Sequence, residues 1–361
     1  LTKHFFTVGP AALYPKIDEF FSEFVESGYG SISHRSAQFR EMYAATDRAL
    51  RRLLNIPSDF AVFFCGSASE IWERILFNTV IERSCHFSNG DFSRRFYEYA
   101  TALGIQSTII ENKPGKAFDS NHLDLLSVPY ELITCCFNET STGVSISNEW
   151  VSAMRKKQPS ALIAVDLVSA VPLMDFDFAN ADMAYFSGQK GFGLPTGIGV
   201  WIVHPRCLDK AKDKLAKGHS IGAHHTLPKL FKHYSHFETP STPNVLGVYL
   251  LGKIAEDLDK ANLIALKNKQ QIRSDFLYSF FDQSSLIPFV KEKEIRSPST
   301  IVIETNDKTE SIFQELLAQG LIVSKGYGKF KDKHLRIANF PANLMMEVEF
   351  IRLVEAFKDH F

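Results

Sequence analysis

Met183-Ala184-Tyr185-Phe186-Ser187-Gly188-Gln189-Lys190-Gly191-Phe192-Gly193, followed by Gly199-Val200-Trp201-Ile202-Val203, sets one lysine between two apolar runs. Runs of this length, bounded by glycine and small polar residues, predict two strands joined by a turn. A lysine there is poorly placed for a solvated surface. Among glycines and small side chains its amine can be held against a flat ligand, which is how a lysine forms a Schiff base with a carbonyl cofactor. Toward the N-terminus, Asp166 closes the apolar run Ala161-Leu162-Ile163-Ala164-Val165, 24 positions before Lys190. The ordinary reading of the two residues is a helix-capping aspartate and a strand-end lysine.

The chemical reading is more specific. An acid at the end of one buried strand and a lysine at the end of a later one are the pair that pyridoxal 5'-phosphate (PLP) needs. The acid keeps the pyridine nitrogen protonated, and the lysine carries the aldehyde and later moves a proton.

Further strand-like runs at Ala61 to Cys65, Gln106 to Ile110 and Leu132 to Cys136 alternate with helical patterns at Ser69 to Thr79 and Phe92 to Leu103. Alternation of this kind predicts an α/β sheet covered by helices, with ligands beyond the carboxyl ends of its strands. After Thr239-Pro240-Ser241-Thr242-Pro243 comes one long helical stretch, Val245 to about Phe281. Two strands, Thr300 to Glu304 and Leu335 to Ala338, and two helices, Ser311 to Gln319 and Met345 to Phe357, then predict a small α+β lobe. The expected division is a large PLP-binding domain over 15–243 and a small C-terminal domain over 244–361 joined by 1–14.

Composition excludes other classes. With 361 residues and 45% hydrophobic content the chain exceeds one ordinary domain, and a net charge of -1 lacks the basic excess that nucleic acid or an anionic membrane surface would require. Cys65, Cys85, Cys135, Cys136 and Cys207 are odd in number, lie mostly in apolar runs and include no CxxC, as expected of buried thiols in a reducing compartment. No apolar run reaches membrane-span length, and the segment around Gly9-Pro10 lacks the apolar core of a secretory signal, so the expected location is the cytoplasm.

Other segments supply groups for the same site. Cys65-Gly66-Ser67-Ala68-Ser69-Glu70 follows a strand and opens a helix, and free amides at a helix start form an anion site. Asn138-Glu139-Thr140 offers Thr140 as a hydroxyl near the cofactor, and Gly90-Asp91-Phe92 offers an aromatic that can stack on its ring. Ser33-His34-Arg35-Ser36 pairs two cations. Arg336 lies inside the apolar run Leu335-Arg336-Ile337-Ala338, so it meets either a structural carboxylate or the carboxylate of a ligand.

Taken in order, these segments resemble the class V PLP-dependent aminotransferases, most closely the phosphoserine aminotransferases. The resemblance runs through Phe6-Thr7-Val8-Gly9-Pro10-Ala11 with Leu13 and Pro15, Ile32 to Ser36 with Phe39, Asn138-Glu139-Thr140 with Gly143, and Asp166 with Ser169. It continues through Gly188-Gln189-Lys190, Thr239-Pro240 with Thr242, and Leu335-Arg336. It implies fold type I of the PLP-dependent transferases: a large mixed-sheet domain with helices on both faces, plus a small α+β domain. The implied activity is reversible amino transfer from phosphoserine to 2-oxoglutarate, giving 3-phosphohydroxypyruvate and glutamate.

The resemblance also assigns roles. Lys190 and Asp166 are implied to be catalytic, with Phe92 stacking on the ring and Thr140 touching it. Ala68, Ser69 and Gln189, with Thr239 from a second subunit, would hold the cofactor phosphate. Arg336 would clamp the substrate carboxylate, while His34 and Arg35 would reach in from the second subunit of a homodimer.

Some positions depart from the family pattern. Phe92 stands where the phosphoserine enzymes usually carry Trp, and the Gly66 to Glu70 loop lacks their glycine run and arginine. Tyr327-Gly328 stands where they carry a second His-Arg pair for the substrate phosphate, leaving Lys325, Lys329, Lys331 and His334 as nearby replacements. Glu238 stands where they usually carry Asn, a charge unfavourable near a phosphate unless paired or protonated. The lost pair favours one rival, a class V transaminase of small amino acids such as alanine or serine with glyoxylate or pyruvate. A non-catalytic PLP-binding protein is a second rival, although it would have no need of Arg336. A desulfurase would need a cysteine on a mobile loop near the substrate.

Overall fold

A computed structural model describes residues 2–358 and His360. Seven strands form a mixed sheet in the order Ala61–Cys65, Gly199–Val203, Met183–Ser187, Leu162–Asp166, Leu132–Cys136, Arg83–Ser88, Gln106–Glu111. Gly199–Val203 runs antiparallel to both of its neighbours, and the other pairings are parallel. Alternation decides which face each side chain covers. Val62 and Phe64 enter one core with the Ala37–Leu54 and Val245–Lys260 helices, whereas Ala61, Phe63 and Cys65 enter the other with the Ala68–Thr79 and Asp91–Ala102 helices. The mixed sheet with helices on both faces is the expected architecture.

Arg83–Ser88 is a strand that its sequence conceals. Its buried polar side chains are satisfied along the strand and across the sheet: Ser84 Oγ meets His86 Nε2 of the same strand at 2.8 Å and Ser107 Oγ of one neighbouring strand at 3.0 Å, while His86 Nδ1 meets Thr134 Oγ1 of the other at 2.7 Å. With those partners in place, burial of His86 carries no orphaned polar atom.

A second sheet has the order His4–Phe6, Leu321–Lys325, His334–Ala338, Thr300–Glu304. It therefore has four strands where two were expected from the C-terminal part, and one of the four comes from the N-terminal segment. The long helix expected from Val245 to about Phe281 is two, Val245–Lys260 and Leu263–Asp282. Asn262 separates them in the left-handed region at φ 55°, and its side chain accepts from the Ala265 N–H to start the second helix. The first packs into the core beside the seven-stranded sheet, and the second sends Leu277, Tyr278 and Phe281 into the core of the four-stranded one.

All five cysteines are buried and free. No described helix is long and apolar enough to cross a membrane.

Candidate active site

The carboxyl ends of six strands in the large sheet lie at one edge, and the residues just past five of those ends build the site. Ser67, Ala68 and Ser69 come after the first strand, and Phe92, Thr140, Val168 and Lys190 come after others. Lys190, Asp166, Ala68, Ser69, Phe92, Thr140 and Gln189, scattered over more than a hundred positions of sequence, line one cavity.

Asp166 is buried at its strand end and accepts a 2.8 Å hydrogen bond from the Val168 N–H. Burial pushes its carboxyl up to about 7, against the opposing pull of the Val168 amide and the Lys190 charge. Lys190 is also buried, and burial pushes its ammonium down to about 8, against the attraction of Asp166. A buried carboxyl that can give its proton to a ring nitrogen and then pair with it, and an amine that readily loses a proton, suit a protonated ring and a nucleophilic nitrogen.

A chain of hydroxyls aims the amine. Lys190 Nζ donates to Thr140 Oγ1 at 2.8 Å, Thr140 donates to Ser169 Oγ at 2.9 Å, and Ser169 donates to the Asn138 carbonyl at 2.7 Å. Each hydroxyl hydrogen is thereby committed, leaving Thr140 Oγ1 as an acceptor for Lys190. Nζ also lies 4.9 Å from the centroid of the Phe92 ring.

Gly191 allows the close packing behind the lysine. A Cβ at that position would lie 2.0 Å from the Val171 carbonyl oxygen and 2.8 Å from Pro172 Cδ. Gly191→Ala is expected to destabilise the protein by about 1–3 kcal/mol through overpacking. Calorimetry would check this, and an unchanged melting temperature would refute it.

Glu139 organises two parts of the site, a role that the sequence reading missed. Its carboxylate accepts from Ser93 N at 2.9 Å, Ser93 Oγ at 2.8 Å, Ser141 N at 3.1 Å, Ser141 Oγ at 2.6 Å and Phe92 N at 3.4 Å. One buried acid thus caps the helix that carries Phe92 and ties it to the turn that carries Thr140. The available signal was an acid two positions before a turn serine, with a second serine at the helix start after Gly90.

At the start of the Ala68–Thr79 helix, the Gly66 amide donates to Glu70 Oε2 at 2.7 Å and the Ala68 amide to Ser187 Oγ at 3.0 Å. Among the described residues the Ser69 amide has no acceptor, leaving one N–H at the positive helix end open to an anion.

Arg336 is buried in its strand and has no ion pair among the described residues. Its Nε donates to the Lys325 carbonyl at 2.9 Å and its Nη1 to the Thr140 carbonyl at 3.2 Å. Burial lowers its guanidinium to about 10. Among the described residues no carboxylate is bonded to it.

Thr239, His34 and Arg35 do not line this cavity. Thr239 lines a different one, with Gly66 and Glu70, and its buried Oγ1 has no hydrogen-bond partner. Arg35 donates to Glu238 Oε2 at 2.9 Å and to the Thr239 carbonyl at 2.6 Å, and Arg40 Nε donates to Glu238 Oε1 at 3.0 Å. Burial pulls the Glu238 carboxyl upward, but the hydrogen bonds from Arg40 and His233 outweigh it and hold the group below its usual range. Glu238 is therefore a paired carboxylate that fixes the loop carrying Thr239.

The cations near Tyr327 divide by their partners. Lys325 is tied to Glu310. His334 lies against the rings of Phe289 and Phe330, and burial pushes it down to about 4, so it is neutral at physiological pH. Lys331 is exposed, and Lys329 lines a separate cavity with Asp91 and Arg94. The Tyr327 ring packs at a tilt of 32° against Phe92, 5.0 Å between centroids.

These groups fit PLP. The cavity offers a buried carboxyl, a deprotonable amine, an aromatic face and a free amide at a helix start. The sequence model of the family Aminotransferase class-V matches residues 7–329. A solved phosphoserine aminotransferase from Cytophaga hutchinsonii superposes with a TM-score of 0.93 at 38% identity, covering 99% of this chain and 98% of that one. The phosphoserine aminotransferase of Rhodococcus opacus is 28% identical over 93% of this chain and 90% of its own length. An alanine–glyoxylate aminotransferase from Nostoc sp. shares the fold, with a TM-score of 0.86 at 19% identity over 99% of this chain and 95% of that one.

Proposed function

This chain belongs to the class V aminotransferases, PLP-dependent transaminases of fold type I, and we propose that its substrates are L-phosphoserine and 2-oxoglutarate, interconverted with 3-phosphohydroxypyruvate and L-glutamate. The observation that carries this reading is a buried amine and a buried carboxyl on one cavity, with the unpaired Arg336 bonded to the carbonyl of Thr140 on the cavity wall. The likeness to phosphoserine aminotransferases at 38% and 28% identity supports the choice of substrate.

When bound, PLP supplies an aldehyde carbon that takes up the amino group and a ring that draws electrons from the substrate. Asp166 would pair with the ring nitrogen and hold its proton. Lys190 Nζ would hold the cofactor in the resting enzyme and, once released by the incoming substrate, would carry the proton that leaves the substrate α-carbon. Thr140 would orient that nitrogen, Phe92 would cover the ring face, and Ala68, Ser69 and Gln189 would take the phosphate. Arg336 receives the substrate carboxylate through a two-pronged hydrogen bond.

Thr239, His34 and Arg35 act in this reading from a second copy, Thr239 on the cofactor phosphate and the other two on the substrate side chain. Their position outside their own chain's cavity, with the orphaned Thr239 hydroxyl, supports a homodimer with shared sites. Five buried free thiols support a cytoplasmic location. The large and small domains would meet after the Val245–Lys260 helix rather than near residue 243, since that helix packs into the core beside the seven-stranded sheet.

The test follows the imine absorption band of the purified holoenzyme as L-phosphoserine, L-glutamate, L-alanine and L-serine are added separately. Loss of the band with phosphoserine and glutamate, and its return with 2-oxoglutarate, is the expected result. A response to alanine or serine alone would move the chain to the small-amino-acid transaminases, and a band that answers to none would mark a binding protein.

A further inference from the structure

We propose that Arg95, together with the Tyr327 hydroxyl, forms a subsite for the phosphate on the substrate's side chain. The inference rests on the phosphoserine reading and names the group that would recognise that phosphate.

Arg95 stands one helical turn after Phe92 on the Asp91–Ala102 helix, so the two share a face. Its guanidinium carbon lies 5.7 Å from the Trp72 ring centroid, and its Nη1 lies 3.5 Å from Tyr327 Oη. Trp72 and Phe92 both line the cofactor cavity, and the Tyr327 ring packs at a tilt against Phe92, so Arg95 is held among the aromatics that wall the site. It is half-buried and has no ion pair among the described residues. Its neighbour Arg94 is paired with Glu111, and the Glu139 carboxylate is committed to Phe92, Ser93 and Ser141.

A partly desolvated guanidinium with most of its five donors unused favours a multiply charged oxyanion, which takes parallel hydrogen bonds from the fork. Tyr327 Oη accepts from Arg95 and keeps its own hydrogen to donate to a phosphate oxygen. Arg336 lies 5.6 Å from the centroid of the same ring, so one tyrosine separates two cations, one free for the α-carboxylate and one for the side-chain anion. Lys325 and His334 are unsuited to the second task, being respectively paired and neutral at physiological pH.

The experiment is stopped-flow loss of the imine band in holoenzyme mixed with increasing L-phosphoserine, for wild type, Arg95→Gln, Arg95→Lys and Tyr327→Phe. Arg95→Gln is expected to raise the half-saturating phosphoserine concentration by about tenfold or more, the loss of a charge-assisted contact. Arg95→Lys should recover part of that, and Tyr327→Phe should show a smaller rise. Half-saturation in Arg95→Gln within about twofold of wild type would overturn the inference alone, as would a fall in the limiting rate with saturation unchanged. A wild-type band that ignores L-phosphoserine would overturn the substrate reading and this inference with it.

Discussion

Lys190→Ala abolishes transamination in the expected result, with turnover falling by about 10⁴-fold or more because the group that moves the α-proton is gone. Lys190→Arg should fail nearly as completely. Arginine keeps the positive charge and much of the length, but its guanidinium does not deprotonate, whereas burial has brought the Lys190 ammonium down to about 8. The pair of variants therefore separates two roles for the residue. If charge alone mattered, arginine would serve, and if a neutral amine at that point is needed, neither variant works. Measuring single turnovers with L-phosphoserine and L-glutamate decides it, and near-normal rates in Lys190→Ala would sink the mechanism.

The second large effect is expected at Arg336. Arg336→Gln should lower kcat/KM for every amino-acid substrate by about 10²–10³-fold, because the substrate carboxylate would enter a buried site without its countercharge. The same change should leave the melting temperature equal or higher. In the free protein Arg336 is a buried cation bonded to two carbonyls and, among the described residues, to no carboxylate, an arrangement that burial disfavours. A structural arginine would behave oppositely, with stability lost and saturation by substrate unchanged. Thermal melts beside steady-state kinetics with two different amino donors would distinguish the cases.

These effects fall on residues that the sequence already singled out, and their local settings explain why. Asp166 and Lys190 each follow an apolar run, and strands such as Ala61–Cys65, Leu132–Cys136 and Gly199–Val203 have the bounds expected from those runs. Once the strands are known, the polar residue just beyond each one must lie at the sheet edge. Arg83–Ser88 escaped this logic because its burial depends on Thr134 and Ser107, residues of two other strands. Glu139 escaped it because three of its five donors come from a helix start more than forty positions away. The break at Asn262 was missed because apolar spacing continues across it, and only a left-handed residue marks the stop.

The sequence by itself determined the strand ends, the lysine and the acid placed on them, and the alternation that sends neighbouring side chains to opposite cores. Those properties follow from runs of a few residues whose periodicity is fixed by backbone geometry. Only the tertiary structure decided that Glu238 is bound by Arg35 and Arg40 and that Arg336 has no carboxylate bonded to it. It also decided that the His4–Phe6 strand pairs with Leu321–Lys325. Those outcomes join residues about 200 or more positions apart. Whether such groups meet depends on how the whole chain packs, and no local spacing encodes that.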